Sequence, residues 1–531
     1  MSVAVVGSGF SGIAVAHALI ARGIAVTILD VGETLDDRRS AVVSRLHDLP
    51  TSSWPPEDLR FLNENPTLGR HRLPKKVHFG SEYIYASDRS FAPIESGASS
   101  RLPYPTFAKG GYSNIWGAAV LPIAACDMSE WPVSRNELEP YFREAARLIP
   151  LTGGEGNLDE SFPSYKERLG QIDAGPQGEA LLTDLASARG LPEEFLYGRA
   201  RLAIHTESAQ NILPCNGCGY CFTGCVRGSI FSTEPSLIGL IDRHQVRYES
   251  GRFVDEVQED SDNVRVTVID SRSLQRDVLT FNAVFLASGP LSTTRILLRS
   301  RRLFERVVLL KESQKFVLPL LRLRAAKTAI EHPSVTLASA FIETKVPAIS
   351  DHWMHAQIVP MNELILRGMP VPGIRLPVAR SLLKPLLQRT MAAWCGMHSD
   401  HSAAVELMLH SGATDRSVMR IDVRRSREAR VAAKAAANHL AREGRKFKTL
   451  FLPRFMQFSE PGSGTHCGGS FPMRRQPRSD FDTDLLGRPF GWERVFAVDA
   501  SVLPSIPGTT LAFSVMANAY RIGALAPLGA M

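Results

Sequence analysis

Four cysteines fall within eleven residues of this chain, at a spacing that metal clusters use. They are Cys215, Cys218, Cys221 and Cys225. The pattern C-x2-C-x2-C-x3-C is that of bacterial ferredoxin loops, except that Val226 replaces the usual proline. Glycines between the cysteines allow the backbone to wrap closely and to point amides at cluster sulfurs. The chemistry this predicts is single-electron transfer through an iron–sulfur cluster.

The cysteine run is open to three interpretations. A 4Fe-4S cluster is expected if all four thiolates ligate, and a 3Fe-4S cluster if Cys225 does not, since the fourth cysteine of such a run can serve another cluster. A structural zinc fits less well, because zinc sites usually separate two Cys-x2-Cys pairs by roughly a dozen residues. The third interpretation is a set of free thiols. The odd total of seven cysteines disfavours a disulfide framework.

The first thirty residues carry a phosphate-binding motif. Residues 3–6 form an apolar run typical of a buried parallel strand, and Gly7, Gly9 and Gly12 then fit G-x-G-x-x-G. These glycines permit a tight turn, the approach of a pyrophosphate and close helix packing, respectively. Asp30 ends the next predicted strand, where a carboxylate can accept hydrogen bonds from ribose hydroxyls. We predict dinucleotide binding, and the position of the motif at the N-terminus of a long chain favours FAD over NAD.

To bind a dinucleotide, the glycine motif and Asp30 must be positioned by a nucleotide-binding sheet. The 531 residues suffice for about three folding units at roughly 100–200 residues each. Two later segments are predicted to return to the sheet: residues 264–268 with 283–290, followed by a helix from about 292, and residues 495–504, which bring Asp499 to a crevice before a helix that ends near 521. Taken singly, each could be an ordinary core strand.

Residues 305–455, between these segments, are predicted to form an inserted substrate domain. Strand-like stretches occur at 334–341, 354–360 and 403–408, and a long amphipathic helix near 426–443. The predicted fold class is therefore α/β: a discontinuous Rossmann-like FAD-binding domain with an inserted α+β substrate domain built on an antiparallel sheet.

Composition excludes several classes of protein. Hydrophobic residues make up 44% and charged residues 22%, as in soluble globular proteins, which excludes disordered, coiled-coil and collagen-like chains. The net charge of +7 is a mild surplus that does not indicate nucleic-acid binding. No stretch reaches the roughly 20 apolar residues of a membrane-spanning helix, and the N-terminus lacks the features of an export signal. We therefore expect a cytoplasmic protein.

Further motifs follow the N-terminal glycines. They are Gly110-Gly111-Tyr-Ser-Asn114-Ile-Trp116-Gly117, Asp127…Trp131-Pro132 with Tyr141, Ala287-Ser-Gly289-Pro290, His466-Cys-Gly-Gly469-Ser470-Phe-Pro-Met473 and Asp499-Ala-Ser501…Pro504. In these motifs and their order the chain resembles the glucose–methanol–choline (GMC) oxidoreductases, which are FAD-dependent alcohol oxidases and dehydrogenases. No motif covers residues 310–450. The resemblance implies that the Gly-Gly segment passes beneath the flavin ring and that the Asp499 segment lies beside the pyrophosphate and the ring.

The resemblance also bears on the cofactors. Ile115 stands where some relatives carry the histidine that tethers FAD, so FAD is expected to be bound non-covalently. Some dehydrogenases of the family carry a cysteine-rich insertion that holds an iron–sulfur cluster, which supports that interpretation here. The predicted FAD contacts are Gly7, Gly9, Gly12, Asp30, Gly110, Gly111, Asn114, Val254, Gly289, Asp499 and Ala500.

The predicted domain limits divide the chain into five segments. They are the first part of the FAD-binding domain at 1–125, a connecting and substrate-side segment at 126–200, the second part of the FAD-binding domain with the cysteine run at 201–304, the substrate domain at 305–455, and a C-terminal FAD-binding segment with the catalytic loop at 456–531.

His466 is the predicted proton acceptor. Its pattern alone suggests an ordinary loop histidine, but the resemblance places it opposite the flavin. Alcohol oxidation removes a hydride, which flavin accepts, and a proton, for which a neutral imidazole with a pKa of ~6.5 is suited. The family usually has a second His or Asn where this chain has Thr510, and a hydroxyl is a poor base near neutrality. Either His466 acts with Thr510 and water, or a side chain of the inserted domain completes the site.

A basic, apolar stretch runs from residue 364 to 398 without an acidic residue. Its basic residues include Arg367, Arg375, Arg380, Lys384 and Arg389. Part of it, 364–394, could contact an anionic membrane surface, in which case the substrate would be lipid-linked. The alternative is a lid on the substrate domain, since prolines at 370, 372, 377 and 385 prevent one long helix.

Together these features predict an FAD-dependent dehydrogenase that oxidises a CH–OH group of a sugar or other alcohol. Electrons would pass through an iron–sulfur cluster to a protein or quinone acceptor. One alternative is an oxygen-using alcohol oxidase with structural cysteines. Another is a non-catalytic flavin-fold protein that binds lipid or protein. Membrane contact would place the protein on the inner membrane face, and no nucleic-acid partner is expected.

Overall fold

A computed structural model of this chain describes residues 1–64, 76–85, 90–96, 105–209, 211–368, 376–412 and 417–528. Within these residues the chain forms α-helices. In chain order they are α1 (Phe10–Ile20), α2 (Asp37–His47), α3 (Pro56–Leu62), α4 (Arg135–Leu148), α5 (Gly175–Ala186), α6 (Thr233–Asp242), α7 (Pro290–Ser300), α8 (Glu363–Gly368), α9 (Pro377–Leu387), α10 (Arg427–Gly444) and α11 (Ala512–Leu525).

The described strands form four sheets. In chain order they are β1 (Ser2–Val6), β2 (Ala25–Leu29), β3 (Ile94–Ser96), β4 (Phe195–Arg199), β5 (Val246–Glu249), β6 (Arg252–Glu259), β7 (Val264–Asp270), β8 (Arg276–Phe281), β9 (Ala283–Leu286), β10 (Val307–Glu312), β11 (Lys315–Arg322), β12 (Ala340–Val346), β13 (Ser350–Pro360), β14 (Thr390–Gly396), β15 (Ala404–His410), β16 (Val418–Arg424), β17 (Thr449–Phe451), β18 (Gln457–Phe458), β19 (Cys467–Gly468) and β20 (Val495–Ala497).

A five-stranded parallel sheet carries the N-terminal motif. Its strand order is β20-β9-β1-β2-β5, so the first strand of the chain lies at its centre. Residues 3–6 are all buried, as expected for a central parallel strand, and α1 packs against β1, β2 and β9. The predicted α/β class with a Rossmann-like sheet is confirmed, including the returns of β9 and β20 to that sheet.

The prediction that residues 264–268 belong to the parallel sheet is wrong. They lie in β7, the middle strand of a three-stranded antiparallel sheet with the order β6-β7-β8. Val264, Val266 and Val268 are buried while Arg265 is exposed. This alternation is typical of a strand with one covered face, whereas a central parallel strand is apolar throughout.

The largest sheet is antiparallel and is described here as the substrate sheet. Its order is β17-β11-β14-β13-β12-β4, with β18 also paired to β11. Helices α5 and α10 pack on it, and the small side chains of Ala433, Ala436 and Ala437 let α10 lie close to its apolar face. The strands β4 and β18 lie before and after the predicted substrate domain at 305–455, so this sheet draws on more of the chain than that range.

A second five-stranded sheet links the substrate segment to the C-terminal loop. Its order is β19-β10-β15-β16-β3, and β10 pairs with β19 through Lys311 to Gly468 and Glu312 to Cys467. The Ser313 amide continues this ladder by donating to the His466 carbonyl at 2.9 Å. The sheet therefore fixes the backbone of His466 against the substrate segment.

The local predictions within residues 305–455 meet mixed outcomes. The helix predicted near 426–443 is α10, and its N-cap Ser426 accepts a hydrogen bond from the Ala429 amide at 3.0 Å. The strands predicted at 354–360 and 403–408 correspond to β13 and β15. Of the stretch predicted at 334–341, only the last two residues are in a strand, because β12 begins at Ala340.

The basic, apolar stretch is divided among three elements. They are α8, α9 and β14, which agrees with the expectation that prolines prevent one long helix. Arg375 and the prolines at 370 and 372 lie outside the described residues. Among the described helices, none has both the length and the apolar character needed to cross a membrane.

Candidate cofactor cavity and active site

A cavity of about 540 Å³ is enclosed jointly by the parallel sheet and the substrate sheet. Eight of the eleven predicted FAD contacts line it: Gly7, Gly9, Asp30, Gly111, Val254, Gly289, Asp499 and Ala500. His466 also lines it, together with side chains from β11, β13 and β14. The structure therefore brings the N-terminal motif and the predicted proton acceptor to one cavity.

In the glycine turn after β1, two of the three glycines are in close contact with other backbone atoms and one has open space beside it. Gly7 has a φ of +98°, and a Cβ there would lie 2.7 Å from the Ala287 carbonyl oxygen. A Cβ on Gly12 would overlap the Gly7 carbonyl. Gly9 differs, because the nearest atom to its Cβ would be the Gly110 oxygen at 3.9 Å. The open side at Gly9 gives a phosphate access to the backbone.

The N-terminus of α1 faces this open side. The helix begins at Phe10, directly after Gly9, and no side chain caps it. Its first amides therefore lack intrahelical partners, and the helix dipole favours an anion there. The free amides and the positive end of the helix dipole make this turn suited to bind a pyrophosphate.

Asp30 lies at the carboxyl end of β2, on the wall of the cavity. Ser8 and Tyr248 donate hydrogen bonds to its Oδ2, the latter at 3.3 Å. Burial raises the pKa of Asp30 to about 6, although these hydrogen bonds oppose the shift. The side chain remains an acceptor at neutral pH and is placed where the ribose of a dinucleotide would lie in this sheet.

The predicted contacts Gly12, Gly110 and Asn114 do not line the cavity. Gly110 has a φ of +80° and its amide donates to the Ser8 hydroxyl at 2.8 Å. The side-chain amide of Asn114 donates through Nδ2 to the Lys109 carbonyl at 2.9 Å. These residues shape the backbone beside the cavity, and Gly111 is the member of the Gly-Gly pair that reaches its wall.

Asp499 follows β20 and lies deep in the cavity wall. Its carboxylate accepts hydrogen bonds from the Ser501 amide at 2.9 Å and from the Thr293 hydroxyl. Burial raises its pKa, and these hydrogen bonds oppose that shift. Thr293 belongs to α7, which begins directly after Gly289, so the N-terminus of a second helix also borders the cavity.

His466 lines the cavity and has one unpaired ring nitrogen. Its Nδ1 is buried and has no hydrogen-bond partner among the described residues. Burial lowers the pKa of His466 well below its ordinary value, and the positive charge of Lys315 adds to this, while a hydrogen bond with the backbone of Thr509 opposes it. The imidazole is therefore neutral near pH 7, with Nδ1 available to accept a proton.

Thr510 does not suit the catalytic role predicted for it. Its hydroxyl donates to the Leu121 carbonyl at 2.9 Å and accepts from the Leu121 amide at 2.7 Å. Although Thr510 borders the cavity, its only hydroxyl proton is engaged by the main chain. These hydrogen bonds fasten two loops together, and the catalytic role of Thr510 stays a prediction.

A second imidazole, which the sequence did not identify, comes from the substrate sheet. His355 on β13 lines the cavity, and its Nδ1 is hydrogen-bonded to Glu343 on β12. Its Nε2 is buried without a partner in the described part of the chain. The sequence raised the alternative that a side chain of the inserted domain completes the site. His355 is a candidate for that role, because it has an unpaired nitrogen whereas the hydroxyl of Thr510 is engaged.

The signal for His355 was present in the alternation of β13. Met354, Ala356 and Ile358 belong to the apolar cluster beneath α10, whereas His355 and Gln357 on the opposite face line the cavity. Polar residues at every second position of a strand otherwise buried on both sides indicate a face turned to a ligand. Applying that rule within residues 310–450 would have found this wall.

The cysteine run lies against the cavity at one point, since Phe222 lines it. Gly217, Gly219 and Gly224 all have positive φ, so the run does use glycines to wrap the chain. All four cysteines are free, and no three of their sulfurs lie within 4.8 Å of one another. A single tetrahedral metal with bonds of about 2.3 Å requires sulfurs roughly 4 Å apart. The described arrangement is therefore not that of a mononuclear zinc site.

The one compact group of metal-ligand side chains within the described residues lies elsewhere. It consists of His352, His398 and Asp400. The two imidazoles are stacked with centroids 3.7 Å apart and planes inclined by 15°. Imidazole lone pairs lie in the ring planes, so they do not converge on one ion. His352 instead bridges Asp127 at 3.1 Å and Asp400 at 3.4 Å, and these hydrogen bonds raise its pKa to about 9.

Comparison with solved structures identifies a neighbour along nearly the whole chain. Pyridoxine 4-oxidase from Mesorbium loti superposes with a TM-score of 0.58 and 14% identity, covering 98% of this chain and 98% of that chain. At this identity the likeness concerns the fold. It agrees with the fold expected from the GMC resemblance.

Comparisons of sequence do not assign a family. No family model matches the chain. The DNA-binding protein RFX5 of Homo sapiens is 26% identical over 162 residues, which cover 27% of this chain and 26% of that protein. The chain thus spans about a quarter of the length of this curated relative, too little to indicate a shared function.

Proposed function

We propose that this chain is an FAD-dependent oxidoreductase that oxidises a CH–OH group to a carbonyl. One observation carries the proposal: a single cavity is lined by the glycine turn and Asp30 and also by the imidazoles of His466 and His355. The name of the structural neighbour, an oxidase of pyridoxine, is compatible with this chemistry.

The residues present fit FAD in its non-covalent form. The open backbone at Gly9 with the amides of α1 suits the pyrophosphate, and Asp30 suits the ribose. Gly289 and Asp499 border the cavity beyond them. Ile115, also in the wall, offers no nucleophile for a covalent link. Bound flavin would supply an acceptor for the hydride of the alcohol.

The proton of the alcohol is assigned to His466. Burial keeps its ring neutral, and Nδ1 is the nitrogen left without a partner when the backbone of Thr509 engages the ring. His355 lines the same cavity and has a buried, unpaired Nε2. The substrate sheet thus adds a second imidazole to the site, whereas the hydroxyl proton of Thr510 is engaged by the main chain.

Replacement of His466 tests this assignment. His466→Ala should retain bound flavin, while anaerobic flavin reduction by an accepted alcohol slows roughly 10²–10⁴-fold. His410→Ala is the matched control, because His410 is hydrogen-bonded to Glu305 at 2.7 Å, away from the cavity. Unchanged flavin reduction in His466→Ala would remove this residue from the mechanism, and a purified protein without flavin would remove the proposal.

The electron acceptor divides the proposal into a dehydrogenase and an oxidase. We favour a dehydrogenase with an iron–sulfur relay, because the cysteine spacing and the wrapping glycines suit a cluster and Phe222 brings the run to the cavity wall. Burial raises the pKa of Cys215 and Cys218 to about 12. A bound metal reverses such shifts by deprotonating its thiols.

Metal analysis separates these alternatives. Anaerobically purified protein should be brown and contain iron and sulfide, and Cys221→Ser should remove them while leaving the flavin in place. The buried Cys395, on the substrate sheet, provides a control as Cys395→Ser. Yellow, iron-free protein that reduces oxygen would favour the oxidase with structural cysteines.

Contact with an anionic membrane surface is a further proposal, and it involves α9. Val378, Leu382 and Leu386 recur every four residues on this helix and are all exposed. A lid packed on the substrate domain would bury such a stripe. The neighbouring α8 contributes Leu364 to the cavity wall, so a membrane beneath α9 would lie near the substrate entrance.

A further inference from the structure

Two rows of paired residues cross the cavity face of the substrate sheet. In the first row, Gly396 of β14 lies between Lys315 of β11 and His355 of β13. Side chains of directly paired residues in an antiparallel sheet point to the same face. Lys315 and His355 are therefore neighbours across Gly396, and both line the cavity.

Gly396 leaves the room that the Lys315 ammonium occupies. A Cβ at position 396 would lie 2.5 Å from Lys315 Nζ. The ammonium thus extends across the middle strand toward His355. The same Cβ would overlap the Gly508 carbonyl oxygen, so a larger residue at position 396 would clash with that backbone as well as with the ammonium.

The Lys315 ammonium has no carboxylate partner within the described part of the chain. Its Nζ donates to the Ser313 hydroxyl at 3.0 Å. Its acidic neighbours are Glu312, Glu343 and Cys395, and burial raises the pKa of all three, that of Glu312 to about 7. Glu343 and Cys395 therefore supply little negative charge near pH 7, whereas Glu312 is partly ionised there and offsets only part of the ammonium charge. A buried ammonium without a counter-ion is costly unless a ligand provides one.

Two neutral donors accompany the ammonium. In the second row Trp394 pairs with Val317 and Gln357, and its indole Nε1 is buried without a partner among the described residues. Burial raises the pKa of Glu343 and lowers that of His355, so the proton they share is on Glu343, which donates to Nδ1. His355 then carries its own proton on Nε2. The residues of this wall thus carry a cation and two buried, unpaired N–H groups, one on an imidazole and one on an indole.

We propose that this wall, formed by Lys315, His355 and Trp394, binds an oxyanion on the substrate, such as a carboxylate next to the carbinol-bearing part of the molecule. The inference rests on the proposed function, whose site it extends. It assigns the substrate class as an anionic alcohol, since an ammonium without a paired carboxylate and two neutral N–H donors on one cavity wall suit the oxygens of a carboxylate.

Matched probes of equal shape test the charge preference. Benzoate and benzamide differ in one terminal group, and calorimetric titration of the purified holoenzyme measures each dissociation constant. Benzoate should bind about 10-fold or more tightly than benzamide, because hydrogen bonds to charged groups are the stronger kind. Lys315→Met should bring the ratio near one, and Lys315→Arg should retain most of it. Lys345→Met is the control, since Lys345 of β12 lies over the ring of Trp353 and does not line the cavity.

The outcomes separate this inference from the proposed function. Equal binding of the two probes by the native protein, including no binding of either, overturns the inference, as does an unchanged ratio in Lys315→Met. A shift of the flavin reduction potential in Lys315→Met with an unchanged ratio would mean that the ammonium serves the reduced ring instead. If an alcohol reduces the flavin but the protein shows no preference for the anion, the proposed function stands and the inference fails. If the protein prefers benzoate but no alcohol reduces the flavin, only the proposed function fails.

Discussion

Glu343 on β12 is hydrogen-bonded to Nδ1 of His355, the residue directly opposite it on β13. Both side chains are buried, and burial shifts each pKa toward the neutral form. Glu343 and His355 are therefore each neutral, and Glu343 is a positioning residue that sets which nitrogen of His355 bears a proton.

Substitutions at Glu343 test the charge of this pair. Glu343→Gln supplies an amide N–H to the same nitrogen and should change the free energy of unfolding by less than about 1 kcal/mol, whereas Glu343→Leu leaves a buried nitrogen unpaired and should cost about 1–3 kcal/mol. Denaturant unfolding measures both. A loss of about 3–5 kcal/mol in Glu343→Gln would instead indicate a buried ion pair.

Thr510 should prove structural when it is replaced. Thr510→Val removes both hydrogen bonds to Leu121 and should lower the free energy of unfolding by about 1–3 kcal/mol, while flavin reduction by substrate keeps its rate in the folded fraction. Thr510→Ser keeps the hydroxyl and serves as the control. A large fall in the reduction rate with native stability would restore the catalytic role.

The glycine turn offers a pair of substitutions with different outcomes. Gly9→Ala places a methyl group in open space on the cavity wall, so the protein should fold with the stability of the cofactor-free form but retain less flavin. Gly12→Ala overlaps the Gly7 carbonyl and should destabilise the fold itself. Thermal unfolding and flavin absorbance distinguish them, and normal flavin content in Gly9→Ala would contradict the assignment of the turn.

Anion binding should depend on pH through Lys315. Burial lowers the pKa of Lys315 to about 8, so its positive charge is complete at pH 6 and is lost as the pH rises through 8. Glu312, with a pKa raised to about 7, gains negative charge over the same interval and weakens anion binding in the same direction. Glu343, His355 and His466 also lie near Lys315, as does Cys395 on the opposite face of β14, and their pKa shifts keep them neutral there. Benzoate affinity should fall about tenfold per pH unit above pH 8. Affinity that is flat to pH 10 would contradict this.

Membrane contact should depend on the exposed stripe of α9. Leu382 is 77% exposed, so Leu382→Glu should abolish flotation with vesicles that contain anionic lipid without changing the melting temperature. Val431→Glu, at an exposed position of α10, is the control for a general effect of charge. Native protein that stays unbound with every vesicle would favour the lid.

The sequence predicted the parts of the site that depend on local chemistry. Gly7, Gly9 and Asp30 were found because a strand, a turn and a helix follow one another within thirty residues. His466 was found through the motif around it. Position 264 was assigned to the wrong sheet because pairing partners are set by contacts distant along the chain. Lys315 and His355 come together only through the register of β11, β14 and β13, which no local pattern specifies.

The composition of the substrate sheet has a consequence for dividing this protein. β4 pairs along β12, and it precedes that strand by about 140 residues. A fragment of residues 305–455 would leave one side of β12 with exposed amides and carbonyls, which promote association between chains. A fragment designed to fold alone must therefore include Phe195–Arg199. To transfer substrate selectivity between relatives, it is safer to replace individual residues of the cavity wall than to exchange the whole segment.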